Sequence, residues 1–101
     1  MRDSVKNDKT PSEINKILMQ VRTAPNPVKN ELTIDYMLAR RAQIQFALYN
    51  INGMPILRTN RRTLEEGKHT EVIAMSNLMT GTYVIHILVD DLVLSRVIIK
   101  Q

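Results

Sequence analysis

Leu78-Met79-Thr80-Gly81-Thr82-Tyr83-Val84-Ile85-His86-Ile87-Leu88-Val89, then Asp90-Asp91, then Leu92-Val93-Leu94-Ser95-Arg96-Val97-Ile98-Ile99-Lys100, is the stretch that decides the fold. It reads as a turn feeding two apolar runs rich in β-branched residues, which suit a pleated, half-buried surface. Gly81 supplies the backbone freedom that a corner requires. The Asp90-Asp91 pair stands where a tight hairpin loop belongs, so the two runs read as antiparallel neighbours. Upstream segments must supply the remaining partners.

Those segments carry the same two-residue period. Residues 68–75 form a strand entered from the turn Glu65-Glu66-Gly67. Asn50-Ile51-Asn52-Gly53 is the strongest turn signal, because Asn-Gly tolerates positive φ and alternating strands flank it. Before it, Ile44, Phe46 and Leu48 face one way within residues 42–49; after it, residues 54–59 return with Pro55 near the start, where a missing donor is tolerated. Leu32, Ile34 and Tyr36 alternate with Thr33 and Asp35. Earlier still, Ile17, Met19 and Val21 alternate with Leu18, Gln20 and Arg22, until Ala24-Pro25-Asn26-Pro27 ends the run. Asn26 is suited to bond backbone locally there. Pro11-Ser12-Glu13 suits the start of a short helical turn.

About seven short strands with close-spaced turns and one apolar face each predict an all-β antiparallel sandwich. The expected core is Ile34, Phe46, Leu48, Ile73, Tyr83, Ile85, Ile87 and Val97. Arg96 and Lys100, two alternations apart, are expected on the outward face of an edge strand, either steering a partner or keeping the edge soluble.

Composition sets the bounds. A chain of 101 residues is a single domain, and 44% hydrophobic against 24% charged residues makes it globular. With three tyrosines, one phenylalanine and no tryptophan, the core must be aliphatic; with no cysteine, there is no disulfide framework or thiolate metal site. The first ten residues are polar and no apolar run follows, so neither a signal peptide nor a membrane span is present in the sequence. Residues 1–16 are taken as a polar extension or linker and residues 17–101 as the sandwich. The net charge is +4, but both signs are interspersed and only Arg40-Arg41 and Arg58 with Arg61-Arg62 cluster. No aromatics interleave with them, which argues against nucleic-acid binding.

No catalytic, cofactor or metal set emerges. His69 and His86 lack spaced partners, and His86 between Ile85 and Ile87 reads as an ordinary strand residue. Asp90-Asp91 falls short of the six to eight oxygens that calcium takes, so turn formation explains it better. Glu65-Glu66 reads as a solvated hairpin end, and none of the three glycines makes a phosphate loop. A small enzyme is therefore not expected.

Leu78, Gly81 and Tyr83 resemble the corner before a late strand of immunoglobulin-like and fibronectin-like sandwiches, where a tyrosine hydroxyl bonds backbone across the turn. Taken in order, Ala24-Pro25-Asn26-Pro27, Asn30-Glu31-Leu32-Thr33-Ile34, Leu48-Tyr49-Asn50-Ile51-Asn52-Gly53, Met75-Ser76-Asn77-Leu78, Gly81-Thr82-Tyr83 and Ser95-Arg96-Val97-Ile98-Ile99-Lys100 resemble the C-terminal sorting domain of proteins exported by the type IX (Por) secretion system of Bacteroidetes. The resemblance covers roughly residues 17–101. It implies a non-catalytic module, without cofactors, that directs a larger secreted cargo through the periplasm and the outer-membrane secretion machinery to the cell surface. Carried over, the recognition residues are Pro25, Asn26, Pro27, Gly53, Gly81, Tyr83, Arg96 and Lys100. The implied partners are that machinery and an amino-terminal cargo domain; a homo-oligomer through the N-terminal extension or an edge strand is also compatible. The alternative is a fibronectin-like accessory or adhesion module, which the low aromatic content disfavours.

Overall fold

A computed structural model describes residues 13–101. The cap expected at Ser12, and any contact of the polar extension with its own domain or a second copy, lie outside the described residues. Eight strands follow a short turn at residues 13–17: β1 (Leu18–Ala24), β2 (Glu31–Leu38), β3 (Ala42–Asn50), β4 (Pro55–Arg58), β5 (Arg62–Leu64), β6 (Gly67–Ala74), β7 (Gly81–Val89) and β8 (Leu92–Lys100). They form the all-β antiparallel sandwich expected from the alternation. One sheet runs β1-β2-β6; the other runs β4-β3-β7-β8, with β5 also paired to β3. The strand not foreseen is β5, whose three residues, Arg62-Thr63-Leu64, are too few and too polar to show a period.

In β2, β3 and β7 the inward positions are those the alternation selects. Leu32, Ile34, Tyr36 and Leu38 of β2 meet Ile44, Phe46 and Leu48 of β3 and Tyr83, Ile85, Ile87 and Val89 of β7 in one core. Each such side chain contributes about 1.5–3 kcal/mol by leaving water. At the entrance to β1 the pairing slips between Met19 and Arg22, with Gln20 at φ 54°. This bulge breaks the simple alternation, and Ile17 and Leu18 are both buried. Ile14, ahead of the first strand, is 1% exposed and joins the same core.

β8 overturns one expectation. Val97 is 58% exposed, while Ile98 is fully buried and Lys100 is only 6% exposed. Arg96 and Lys100 do share one face, but it is the inward-facing set, not the outward one. The cause is legible afterwards: Leu92, Leu94 and Ile98 form one apolar series and Val93, Val97 and Ile99 another, so the charges at 96 and 100 made the wrong series look like the core. At the strand end a lysine can bury its stem and leave its ammonium at the rim; Lys100 Nζ donates to the Gln101 carbonyl at 2.7 Å. Arg96, on the same series, stays exposed.

Candidate functional site

The turn into β7 begins at Gly81, at φ +157°, where a β-carbon would meet no atom within 4 Å. Any substitution there is opposed by backbone torsion and not by crowding. Two residues on, the buried Tyr83 sends its hydroxyl back to donate to the Met79 carbonyl at 2.7 Å. That is the tyrosine corner expected from Leu78, Gly81 and Tyr83. The β3–β4 hairpin turns through the four residues 51–54, of which Gly53 alone takes positive φ, +83°. Asn50 organises it: its Oδ1 accepts from the N–H groups of Asn52 (2.9 Å) and Met54 (3.0 Å).

The Pro25-Asn26-Pro27 segment does more than stop β1. Asn26 lies beside β8, 71 and 73 residues along the chain, where its Nδ2 donates to the Val97 carbonyl (3.3 Å) and its Oδ1 accepts from Ile99 N–H (3.0 Å). A side-chain amide has the same donor and acceptor as a peptide unit, so Asn26 acts as one residue of a neighbouring strand. Val28 continues the pairing: its N–H donates to Ile99 O and its carbonyl accepts from Gln101 N–H, both at 2.8 Å. Val28 itself is fully buried and bridges Lys100 in parallel sense. The local turn bond expected of Asn26 is thus replaced by a long-range one, because the flanking prolines supply no N–H to this segment.

These pieces converge. Gly81 pairs with Lys100, Tyr83 with Ile98, and Asn50, at the base of the Gly53 hairpin, with Tyr83. Pro25, Asn26, Pro27, Gly53, Gly81, Tyr83 and Lys100 therefore gather at one end of the sandwich, around the finish of β8. Arg96 does not join them; it pairs with Ile85 in mid-strand, and its guanidinium donates to its neighbour's Ser95 carbonyl at 3.2 Å. Val28 is the member that sequence reasoning missed. Its only signal was an isolated apolar residue directly after a turn.

At the far end, about 27 Å away at the rise of a strand, the β7–β8 turn is tied down by Asp90, at φ 55°. Its carboxylate accepts from Gln43 N–H (2.9 Å) and from Arg40 (3.1 Å). The Gln43 N–H first, and the Arg40 guanidinium with it, hold the Asp90 carboxyl below the ordinary value. Mid-molecule, Tyr36 is pushed up to about 12 by burial and by the Glu71 carboxylate. His86, half-buried on the outer face of β7, packs its ring against Tyr49 with centroids 4.6 Å apart. Among the described residues no group of three or more His, Asp or Glu is placed to hold a metal ion.

Fold and site together define a small antiparallel sandwich module whose candidate residues surround the end of an edge strand. A family model described as Secretion system C-terminal sorting domain matches residues 23–101, and the chain belongs to that family. It accordingly carries a sorting signal for type IX secretion, and its parent is a secreted or cell-surface protein. No curated protein matches the chain. Among the described residues no helix is long and apolar enough to cross a membrane.

Proposed function

We propose that the domain is a non-catalytic recognition module, read by the outer-membrane secretion machinery as a folded surface, and that the surface read is the end of the sandwich where β8 finishes. One observation carries this reading. Four hydrogen bonds from Asn26 and Val28 hold the close of β8, so that prolines from the start of the domain and the last residues of the chain present one face. Gly81, Tyr83 and the Gly53 hairpin frame that face. A linear tail would need none of this. A partner reading shape needs the surface to be preorganised, since ordering it on binding would reduce affinity. In this reading Arg96 is an edge guard and Lys100 a structural residue whose stem fills the end of the core.

The test fuses the chain behind a periplasmic reporter in a host with the type IX machinery. Asn26→Ala should reduce surface delivery, while Asp91→Ala, at the opposite end, should leave it unchanged; both variants are first shown to melt as folded domains. Equal delivery by the two variants would refute the proposal.

A further inference from the structure

Charge and exposed apolar surface are divided unevenly over the molecule. The five strands of the larger sheet, β3, β4, β5, β7 and β8, contain no aspartate or glutamate and carry Arg58, Arg62, Arg96 and Lys100. The strand carboxylates, Glu31, Asp35 and Glu71, all belong to β2 and β6 of the smaller sheet. The two ends differ as well. At the β7–β8 turn, Glu13, Lys16, Arg40, Asp90 and Asp91 line one hollow. At the opposite end, Ile51 and Met54 of the β3–β4 hairpin and Met79 of the β6–β7 corner stand 67%, 59% and 81% exposed. Ile56, Val97 and Ile99, also exposed, continue this apolar surface onto the outer face of the larger sheet. Apolar side chains gathered in this way mark a place of contact with another body.

We propose that this end, tilted onto the outer face of the larger sheet, docks on an anionic lipid surface. The residues fall into three levels along the strands, as the depth profile of such a surface requires. Ile51, Met54 and Met79 form a convex tip, and a convex apolar tip suits a medium that yields around it. Behind the tip, Tyr49 is half-buried opposite Val84, with an apolar ring and a polar end suited to the boundary between hydrocarbon and water. About 7 Å further back, one strand repeat, Arg58 pairs with Ala47, and on the edge strand Arg96 pairs with Ile85. Both arginines are exposed, and among the described residues neither meets a carboxylate, whereas Arg40, Arg41 and Arg62 each do. Their long stems can lie along the apolar surface while the guanidinium groups reach headgroup phosphates. The net charge of +4 favours the same approach. The chain would rest on the surface and not cross it. This inference goes beyond the sorting reading and does not depend on it, since it needs only the chain and lipid.

Flotation of the full chain with vesicles reads the contact directly. Vesicles of phosphatidylglycerol mixed with phosphatidylcholine should carry the chain, pure phosphatidylcholine should carry much less, and added salt should release it. Ile51→Ser and Met79→Ser should each weaken binding about tenfold or more, with the melting temperature kept because both side chains lie outside the core. Arg58→Gln and Arg96→Gln should each weaken it about fivefold on the anionic vesicles only. Val72→Ser, which removes an exposed valine from the smaller sheet, should change nothing. Orientation is read by a polarity-sensitive dye on single cysteines, placed in a chain that has none. The dye on Met54→Cys should shift to the blue when vesicles are added, and the dye on Asp91→Cys should not. Asn26→Ala, the variant that tests the sorting reading, should still bind vesicles, so the two readings can fail separately. A chain that ignores anionic vesicles, one that Val72→Ser weakens as much as Ile51→Ser does, or dyes that shift equally at both positions would each overturn the proposal. Loss of surface delivery by Ile51→Ser in a chain that ignores vesicles would overturn it too, and assign the tip to a protein partner.

Discussion

Phe46 is the chain's one phenylalanine, and it lies at the centre of β3, fully buried, with its ring 5.8 Å from that of Tyr36. Neighbouring β-branched side chains have little freedom to collapse into the space it fills. Phe46→Ala should cost about 3–5 kcal/mol, much of the stability of so small a domain, and urea melts will show it as a lower midpoint. A loss under about 1 kcal/mol would mean that the ring is not a core element at all. Asp90 is the residue whose contribution depends on pH. Its carboxyl lies below the ordinary value, so the stabilisation is present above the unfolded aspartate value and is lost as pH falls through the lower folded one. The wild type should accordingly melt above Asp90→Asn at neutral pH, and the gap should close in strong acid. A gap that persists unchanged in acid would show that the Arg40 and Gln43 contacts work through geometry and not through charge.

At the scale of the strand, legibility followed the contrast between faces. In β2, Leu32, Ile34 and Tyr36 alternate with Thr33 and Asp35, and in β3 Ile44 and Phe46 alternate with Gln43 and Gln45; polar residues mark the outer face and the register follows. β8 offers no such contrast. Its outer series of Val93, Val97 and Ile99 is as apolar as its inner one, and only pairing with β7 decides between them. The hairpin at Gly53 and the corner at Gly81 were readable because each is closed within a few residues. The Asn26 clamp was not, since its partners lie 71 and 73 residues away and sequence spacing carries no trace of such a bond. For the same reason the candidate residues could be named one by one, while their meeting at one end of the sandwich could not. β5 was hidden by its brevity and by arginine at its start.

For the whole molecule, the consequence is that the last strand cannot be both a detachable tail and the closing element of the fold. All nine residues of β8 pair with β7, which lies between β3 and β8. Without β8, the β7 run Tyr83–Val89 would become an exposed apolar edge, the condition that natural sheets avoid. Ile98 would also leave the core, a loss of about 1.5–3 kcal/mol by itself, and Asn26 and Val28 would lose the backbone that anchors them. A domain of this size is stabilised by roughly 5–15 kcal/mol in total, so these losses together remove a large share of it. A chain ending at residue 91 should show no cooperative thermal transition in calorimetry and should be digested rapidly under conditions where the full chain resists. A truncated chain that still melts in a single sharp transition would show instead that the first seven strands fold alone and that β8 is added to a finished sandwich.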